Sequence, residues 1–358
     1  MIEIDGSAGG GQLLRSAIAL SAITDTPIRI EDVRGARENP GLKIQHATAV
    51  RAAAAVADAT IDGADPGDRT VEFDPGQITG GHHSVEIGTA GSLTLLFETI
   101  LPMASVAEAP IRLRAAGGTD VAWSPPFAYL RRVKLPLLRR FGFGAAVDLK
   151  RRGFYPKGGG AATLSIFPSE IEPIGLAGAA ATADVRGARV YAIAEESLAD
   201  AEVAERMAAT ATDALSENGH DVGERVIEYT STKNPGAVIT IRGDLPATVP
   251  GPNGDVSGIR PAVGASALGE PGTPSEEVAS EAVDRFDRFV DSFGAVDRYL
   301  ADQLVVPLAI AGGEVAIPTV TDHVTSSIEL LEPFGLTVSR EDRADGGTIL
   351  RSPGMEIT

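Results

Sequence analysis

Residues 2–23 read IEIDGSAGGGQLLRSAIALSAI. A short apolar stretch at 2–4 precedes a glycine-rich loop at 5–11, and an apolar run follows from 12 to about 23. This order predicts a strand, a tight turn and a helix whose free N-terminal amides favour an anion. The loop lacks the Gly-Lys-Ser/Thr of a Walker A motif and the spacing of a dinucleotide fingerprint. Close packing of strand on helix explains the glycines equally well, so both interpretations stay open.

The same pattern recurs further along the chain. A second glycine turn, GTAGS at 88–92, opens another apolar helix, and a third helix pair flanks the break at Gly312 and Gly313. Each unit pairs two helices with a small sheet, which favours an α+β fold of three repeated modules over one doubly wound sheet. The predicted strands lie at 2–4, 27–33, 85–87, 111–114 and 314–317. The predicted helices lie at 12–23, 42–56, 127–141, 296–310 and 322–333, with another ending near 103.

A different stretch separates the second module from the third. With 358 residues, the chain exceeds the about 250–300 residues of a single core, so a second, smaller domain is expected. Residues 183–276 carry strand patterns at 189–193, 225–229 and 237–242, and a helix pattern at 199–218. We therefore predict a small α/β domain at 183–276 inserted into a large domain of residues 1–182 and 277–358. A long loop is expected at 245–264, which is rich in Pro and Gly.

The composition limits the chemistry. The net charge is −18, and arginine far outnumbers lysine. Such a surface suits concentrated salt, because the Debye length falls to about 3 Å at 1 M; an ordinary acidic protein is the alternative. The absence of cysteine excludes disulfides, thiolate metal sites and cysteine nucleophiles. No signal peptide and no apolar run of roughly 18 residues is present, so we expect a cytoplasmic protein without a membrane partner.

Two groups of residues stand out as candidates for phosphate chemistry. Arg34 and Arg37 precede the turn that leads to Gln45 and His46, and two guanidiniums beside a turn can grip a terminal phosphate. Solvated surface arginines are the alternative. His323 begins an apolar helix, and a neutral imidazole can attack an activated phosphorus; a capping or core histidine is the alternative. No His, Asp and Glu set has the spacing of a zinc site.

Several segments together carry a family likeness over nearly the whole chain, apart from residues 245–264. They are 5–16 (DGSAGGGQLLRS), 39–42 (NPGL), 45–46 (QH), 88–92 (GTAGS), 117–120 (GGTD), 123–126 (WSPP), 152–160 (RGFYPKGGG), 299–304 (YLADQL) and the helix start at 323. With these motifs in this order, the chain resembles the RNA 3'-terminal phosphate cyclase family, in an archaeal, halophile-like form.

The resemblance implies three β-α-β-α-β-β modules with an inserted α/β domain. It also implies a ligase that uses ATP and a divalent metal, Mg²⁺ or Mn²⁺, on an RNA with a 3'-terminal phosphate. A histidine would take AMP from ATP and pass it to the 3'-phosphate, and the 2'-hydroxyl would then close a 2',3'-cyclic phosphate. A non-catalytic relative in ribosomal RNA processing and an enolpyruvyl transferase are the alternatives. The sequence leaves the oligomeric state and the RNA open.

Residue roles follow from the same resemblance. His323 would be the nucleophile, and Tyr299 and Pro125 would enclose the adenine. The other nucleotide-binding residues would be Glu98, Leu300, Ala301, Asp302 and Gln303. The substrate phosphate would be held by Arg15, Arg34, Arg37, Gln45 and His46.

Three positions depart from the family pattern. Ala8 stands in the place of a glutamate associated with the metal, so the metal ligands are left open. Glu98 stands in the place of a glutamine, and beside ATP its carboxylate would be repelled unless it is protonated or paired. Ser326 and Ser327 replace a Thr-Asn pair.

Overall fold

A computed structural model describes residues 1–177, 185, 187–244, 262–344 and 346–355. The strands are β1 Ile2–Asp5, β2 Ile28–Glu31, β3 Thr60–Asp62, β4 Val71–Asp74, β5 Gly81–Glu86, β6 Ile111–Gly117, β7 Ala145–Arg151, β8 Gly160–Ile166, β9 Ile174–Leu176, β10 Ala188–Glu195, β11 Val222–Thr230, β12 Ala237–Asp244, β13 Ala262–Leu268, β14 Gly313–Ile317, β15 Ser339–Asp342 and β16 Thr348–Ser352. The helices are α1 Gly11–Thr24, α2 Ile44–Val56, α3 Leu93–Ile100, α4 Phe127–Tyr129, α5 Leu135–Arg140, α6 Val203–Glu217, α7 Ser275–Val290, α8 Arg298–Gln303, α9 Val305–Ala311 and α10 Asp322–Leu331. A π-helical segment, Leu130–Lys134, joins α4 to α5.

Three sheets share one topology. Their strand orders are β1-β2-β4-β3, β5-β6-β8-β7 and β9-β14-β16-β15. In each sheet the first pair is parallel and the other two pairs are antiparallel. Apolar residues of all three sheets and of the helices between them belong to a single core cluster. The α+β architecture predicted from the sequence is therefore the one observed.

The fourth sheet has its own core. Its order is β11-β10-β12-β13, and α6 and α7 pack on it through a separate apolar cluster. Helix α7 carries Val278, Phe286 and Phe289 into that cluster. The predicted domain boundary at residue 276 thus falls inside a helix that packs on the small sheet.

Two other predictions change in detail. The predicted helix at 296–310 is divided into α8 and α9 at Leu304, and the helix expected to end near 103 is α-helical to Ile100 and continues as a 3₁₀ helix, Leu101–Ser105. Proline explains both breaks, because its ring displaces the carbonyl four residues earlier; Pro307 and Pro102 lie at these points. Most of the predicted loop at 245–264 lies outside the described residues, and its last three residues begin β13.

The position of the insert follows from the module order. In the first two modules a glycine turn joins the first strand to the first helix, between β1 and α1 and between β5 and α3. In the third module the fourth sheet and its helices occupy that position, between β9 and α8. Within the described ranges, no helix combines the length and the apolarity needed to cross a bilayer.

Candidate functional site

A cleft of about 1110 Å³ opens between the modules and the insert. It is lined by the start of α1, the loop after β2, the start of α2, the loop before α4, α8, the start of α10, and by β13 and α7 of the insert. The predicted site residues that line it are Arg15, Arg34, Arg37, Gln45, His46, Glu98, Pro125, Tyr299, Asp302, Gln303 and His323. The structure thus brings together side chains from both chemical groups predicted from the sequence.

Two predicted nucleotide-binding residues do not reach the cleft. Leu300 and Ala301 are fully buried in the main core. Successive side chains of a helix point in different directions around its axis. Tyr299, Asp302 and Gln303 therefore line the cleft, while Leu300 and Ala301 face the interior. The sequence motif spans the whole helix, but only one face of it belongs to the site.

The N-terminus of α1 is open toward the cleft. Gly10 occupies the N-cap position without a side-chain cap, so the first amides of the helix have no intrahelical acceptor. A Cβ on Gly11 would lie 2.4 Å from His46 Nε2. Glycine at this position lets the helix start lie directly against the imidazole, and both then present N–H groups to the same space.

His46 is held neutral, with its proton on the cleft side. It is 5% exposed, and burial first, then the charges of Arg15, Arg34 and Lys43, lower its pKa to about 3. The backbone N–H of Lys43 donates to Nδ1 at 3.2 Å, so Nε2 carries the hydrogen.

Gln45 faces that hydrogen with a second donor. Its Oε1 accepts from the backbone N–H of Ser92 at 3.4 Å, which turns the amide NH₂ toward His46 Nε2, 3.4 Å away. Two donors that point at each other need a shared acceptor. The oxygen of an anion supplies one.

Among the described residues, none forms an ion pair with the three arginines of the site, although the charges of Glu98 and Asp302 act on Arg15. Within the described ranges no carboxylate oxygen lies within 4.0 Å of the Arg15, Arg34 or Arg37 guanidinium. Nη1 of Arg34 donates to the carbonyls of Asn39 and Gly41 at 2.9 and 2.8 Å. Burial lowers the pKa of both Arg15 and Arg34. Desolvated cations of this kind gain most from a bound anion.

Glu98 forms an ion pair with Lys134, so its carboxylate is not a free negative charge beside the nucleotide candidates. Lys134 Nζ lies 2.9 Å from Glu98 Oε1 and 2.9 Å from Gln303 Oε1, with the Glu98 side chain 12% exposed and that of Lys134 4%. The ammonium therefore neutralises the carboxylate beside the nucleotide candidates. Lys134 could not be predicted as this partner, because 36 residues separate it from Glu98 and no local pattern connects them.

Asp302 lies beside this network without a hydrogen bond at Oδ1. Burial first, and then the charge of Glu98, raise its pKa to about 7, against the opposing effect of Lys134. Its carboxyl group thus changes charge near neutral pH.

Hydrogen bonds hold the backbone at Tyr299 and at Pro125 in place. Asp297 caps α8 by accepting from the backbone N–H groups of Tyr299 and Leu300 at 2.9 and 3.0 Å, and Tyr129 donates to its other oxygen. The Pro125 carbonyl accepts from Thr94 Oγ1 at 2.8 Å. Both rings line the cleft, so each can contact a planar base.

His323 is the second residue of α10, exposed at the edge of the cleft. Thr321 caps this helix by accepting from the Val324 N–H at 3.2 Å. Gln12 donates to Ser327 Oγ at 3.0 Å, which connects α10 directly to α1. The helix that carries His323 therefore contacts the helix whose N-terminus opens onto the cleft.

The family resemblance also implies a divalent metal, whose ligands the sequence leaves open. The described part of the chain contains no group of three His, Asp or Glu side chains positioned to hold a metal ion. Glu98 is engaged with Lys134, and Ala8 contributes no ligand side chain. These residues do not fit a protein-held divalent metal.

Comparison with known proteins gives a consistent result. The family model described as RNA 3'-terminal phosphate cyclase matches residues 7–339. A protein of Halobacterium salinarum named RNA 3'-terminal phosphate cyclase is 40% identical over 362 residues, covering 98% of this chain and 99% of the relative. Proteins of the same name from Pyrococcus furiosus and Pyrobaculum neutrophilum are 37% and 35% identical, covering 93% and 99% of this chain and the same shares of their own.

Proposed function

The chain belongs to the RNA 3'-terminal phosphate cyclase family, and from that premise we propose that it converts an RNA 3'-phosphate to a 2',3'-cyclic phosphate at the expense of ATP. The observation that carries the proposal is the shared cleft: the exposed imidazole of His323 opens onto the same space as the convergent donors of Gln45 and His46. A nucleophile and an anion site in one cleft suit transfer between phosphates.

In the first step His323 attacks the α-phosphorus of ATP, which is the second substrate. A bond forms between an imidazole nitrogen and phosphorus, and pyrophosphate leaves. Tyr299 and Pro125 orient the adenine, while Lys134 neutralises Glu98 so that no free carboxylate there repels the nucleotide. Arg15 supplies positive charge for the phosphoryl oxygens.

In the second and third steps the RNA 3'-phosphate is activated and closed. A 3'-phosphate oxygen attacks the histidine-bound AMP, and the imidazole leaves. The 2'-hydroxyl then attacks the 3'-phosphorus, gives its proton to the solvent and expels AMP. Arg34, Arg37 and the donors on Gln45 and His46 hold the 3'-phosphate throughout. Activation is required because an unmodified phosphate oxygen is a poor leaving group.

The test follows the adenylate on the protein. In concentrated salt with ATP labelled on its α-phosphate, the denatured wild-type protein should retain label, and His323→Ala should not. His82→Ala is the matched control, since His82 is exposed on β5 away from the cleft. Wild-type protein that stays unlabelled with Mg²⁺ and with Mn²⁺ would remove the proposal and favour the non-catalytic reading.

A second substrate separates activation from closure. An oligoribonucleotide with a 3'-phosphate and a 2'-deoxy terminal sugar should accumulate as the adenylated strand, because the closing hydroxyl is missing. The normal strand should give the cyclic phosphate. ATP as a substrate makes the cytoplasm the expected location.

A further inference from the structure

Trp123 is an exposed aromatic side chain in a strained conformation. It is the only tryptophan of the chain, it is 98% exposed, and its φ is +59°. A bulky residue in the left-handed region is uncommon and costs backbone energy. Full exposure of the indole adds the cost of hydrating a large apolar ring. Trp123 itself has no role in the steps described above.

The loop around Trp123 is held from both sides. Ser124 Oγ donates to the Val121 carbonyl at 2.8 Å, and the backbone N–H of Phe127 donates to Asp120 Oδ1 at 3.1 Å. Asp120 in turn forms a buried ion pair with Arg152 at 2.9 Å. These contacts fix the base of the loop, so the backbone that carries the indole is held in place.

The indole also lies on the cleft. Trp123 is among the residues that line it, together with the anion-binding arginines. An aromatic ring beside a phosphate site matches the two parts of a nucleotide, a flat base and an anion. Tyr299 and Pro125 already supply two faces for the adenine of ATP, which leaves the indole for another base.

We propose that Trp123 is the stacking platform for a nucleobase at the 3' end of the RNA substrate. The proposal rests on the proposed function and adds the residue that holds the strand. Stacking tolerates any base, since each has a π-face. Stacking also suits a protein whose net charge of −18 favours concentrated salt. Salt steeply weakens contacts to phosphates, whereas it does not weaken stacking between uncharged rings.

Fluorescence of the single tryptophan tests the contact directly. Titration of the wild-type protein with a six-nucleotide RNA bearing a 3'-phosphate should quench the emission. The same strand with abasic sugars at its last two positions should bind with little quenching. ATP alone should leave the emission unchanged; quenching by ATP would assign the indole to adenine and overturn the proposal.

Variants test the consequence for binding. Trp123→Ala and Trp123→Gly should raise the KM for the RNA about tenfold or more, and Trp123→Phe should recover part of the loss. Glycine accepts a positive φ without strain, so Trp123→Gly also serves as a variant expected to fold. Tyr155→Ala is the matched control, because Tyr155 is 74% exposed but does not line the cleft.

Labelling of His323 by ATP separates the two proposals. A wild-type protein that becomes labelled, together with an unchanged KM for RNA in Trp123→Gly, would refute the stacking platform and leave the proposed function intact. A parallel loss of RNA binding and of labelling would show that the indole contacts ATP, which also overturns the proposal. Absence of labelling in the wild type would instead count against the proposed function, while quenching by RNA would still support the platform.

Discussion

Gly11→Ala adds one carbon atom where the start of α1 touches His46. The new Cβ would lie 2.4 Å from His46 Nε2 and 3.0 Å from both His46 Cδ2 and Arg15 Nη1. The long Arg15 side chain can move aside, but the imidazole is fixed by the Lys43 amide and by burial. We expect the ring to be displaced, and with it the Nε2–H that faces Gln45.

The magnitude follows from the donor that is lost. A hydrogen bond to a charged group contributes about 1.5–3 kcal/mol, and about 1.4 kcal/mol corresponds to a factor of ten. Displacement of the His46 donor alone should therefore raise the KM for an RNA 3'-phosphate by about 10- to 150-fold. The inhibition constant of inorganic phosphate, used as a competitor of the RNA, should rise by a similar factor.

The neighbouring glycine gives the control. A Cβ on Gly10 would lie 3.5 Å from Arg37 Nη2, which is an ordinary contact, so Gly10→Ala should keep its KM within about twofold of the wild type. Steady-state kinetics with the RNA, alongside thermal unfolding of each variant, make the comparison. If both alanine variants behave alike, or if Gly11→Ala binds RNA normally, the anion site does not depend on His46 as argued.

Three further changes test the electrostatics of the cleft. Lys134→Met should lower the free energy of unfolding by about 3–5 kcal/mol by stranding the Glu98 carboxylate, and a second change, Glu98→Gln, should restore most of it; urea denaturation in high salt measures both. The pKa of His46 is lowered to about 3, so the unfolded chain binds the proton more readily and stability is lost as the pH falls below about 6.5. His46→Gln should remove up to about 1.4 kcal/mol per pH unit of that dependence; an unchanged slope would mean that the ring is not buried neutral. The pKa of Asp302 is raised to about 7, so its contribution to stability is present below about 4 and is lost as the pH rises to 7. Relative to the wild type, Asp302→Asn should gain stability over that interval, and equal curves would contradict the assignment.

Much of the fold follows from local sequence. The glycine turn at 88–92 and the apolar helices that follow such turns set the modules, because glycine conformations and helical periodicity depend on near neighbours. The domain on which α7 packs could not be predicted in this way. Its apolar stripe shows that one face is buried, but whether it packs on the small sheet or on the large body depends on distant residues such as those of β13.

The candidate site also has a part that local sequence predicts and a part that it does not. Arg34, His46 and His323 stand beside turns and helix starts that a single sequence reveals, and the roles proposed for them come from the family likeness. The Lys134 ammonium between Glu98 and Gln303 joins residues from separate elements, and Leu300 and Ala301 face the core although they lie within the motif. Such relations arise from packing, which no local pattern records.

The place where the fourth sheet enters the chain has a consequence for how such a protein is built. Three sheets of one topology are the outcome expected of gene duplication, and the insert lies where the third copy would have its glycine turn. Strand β9 still pairs with β14, although the insert and then α8 and α9 lie between them in the chain. Loops whose ends lie close together accept whole domains. At this position the insert adds residues of β13 and α7 to the lining of the cleft, while its own apolar core stays separate from the core of the three modules.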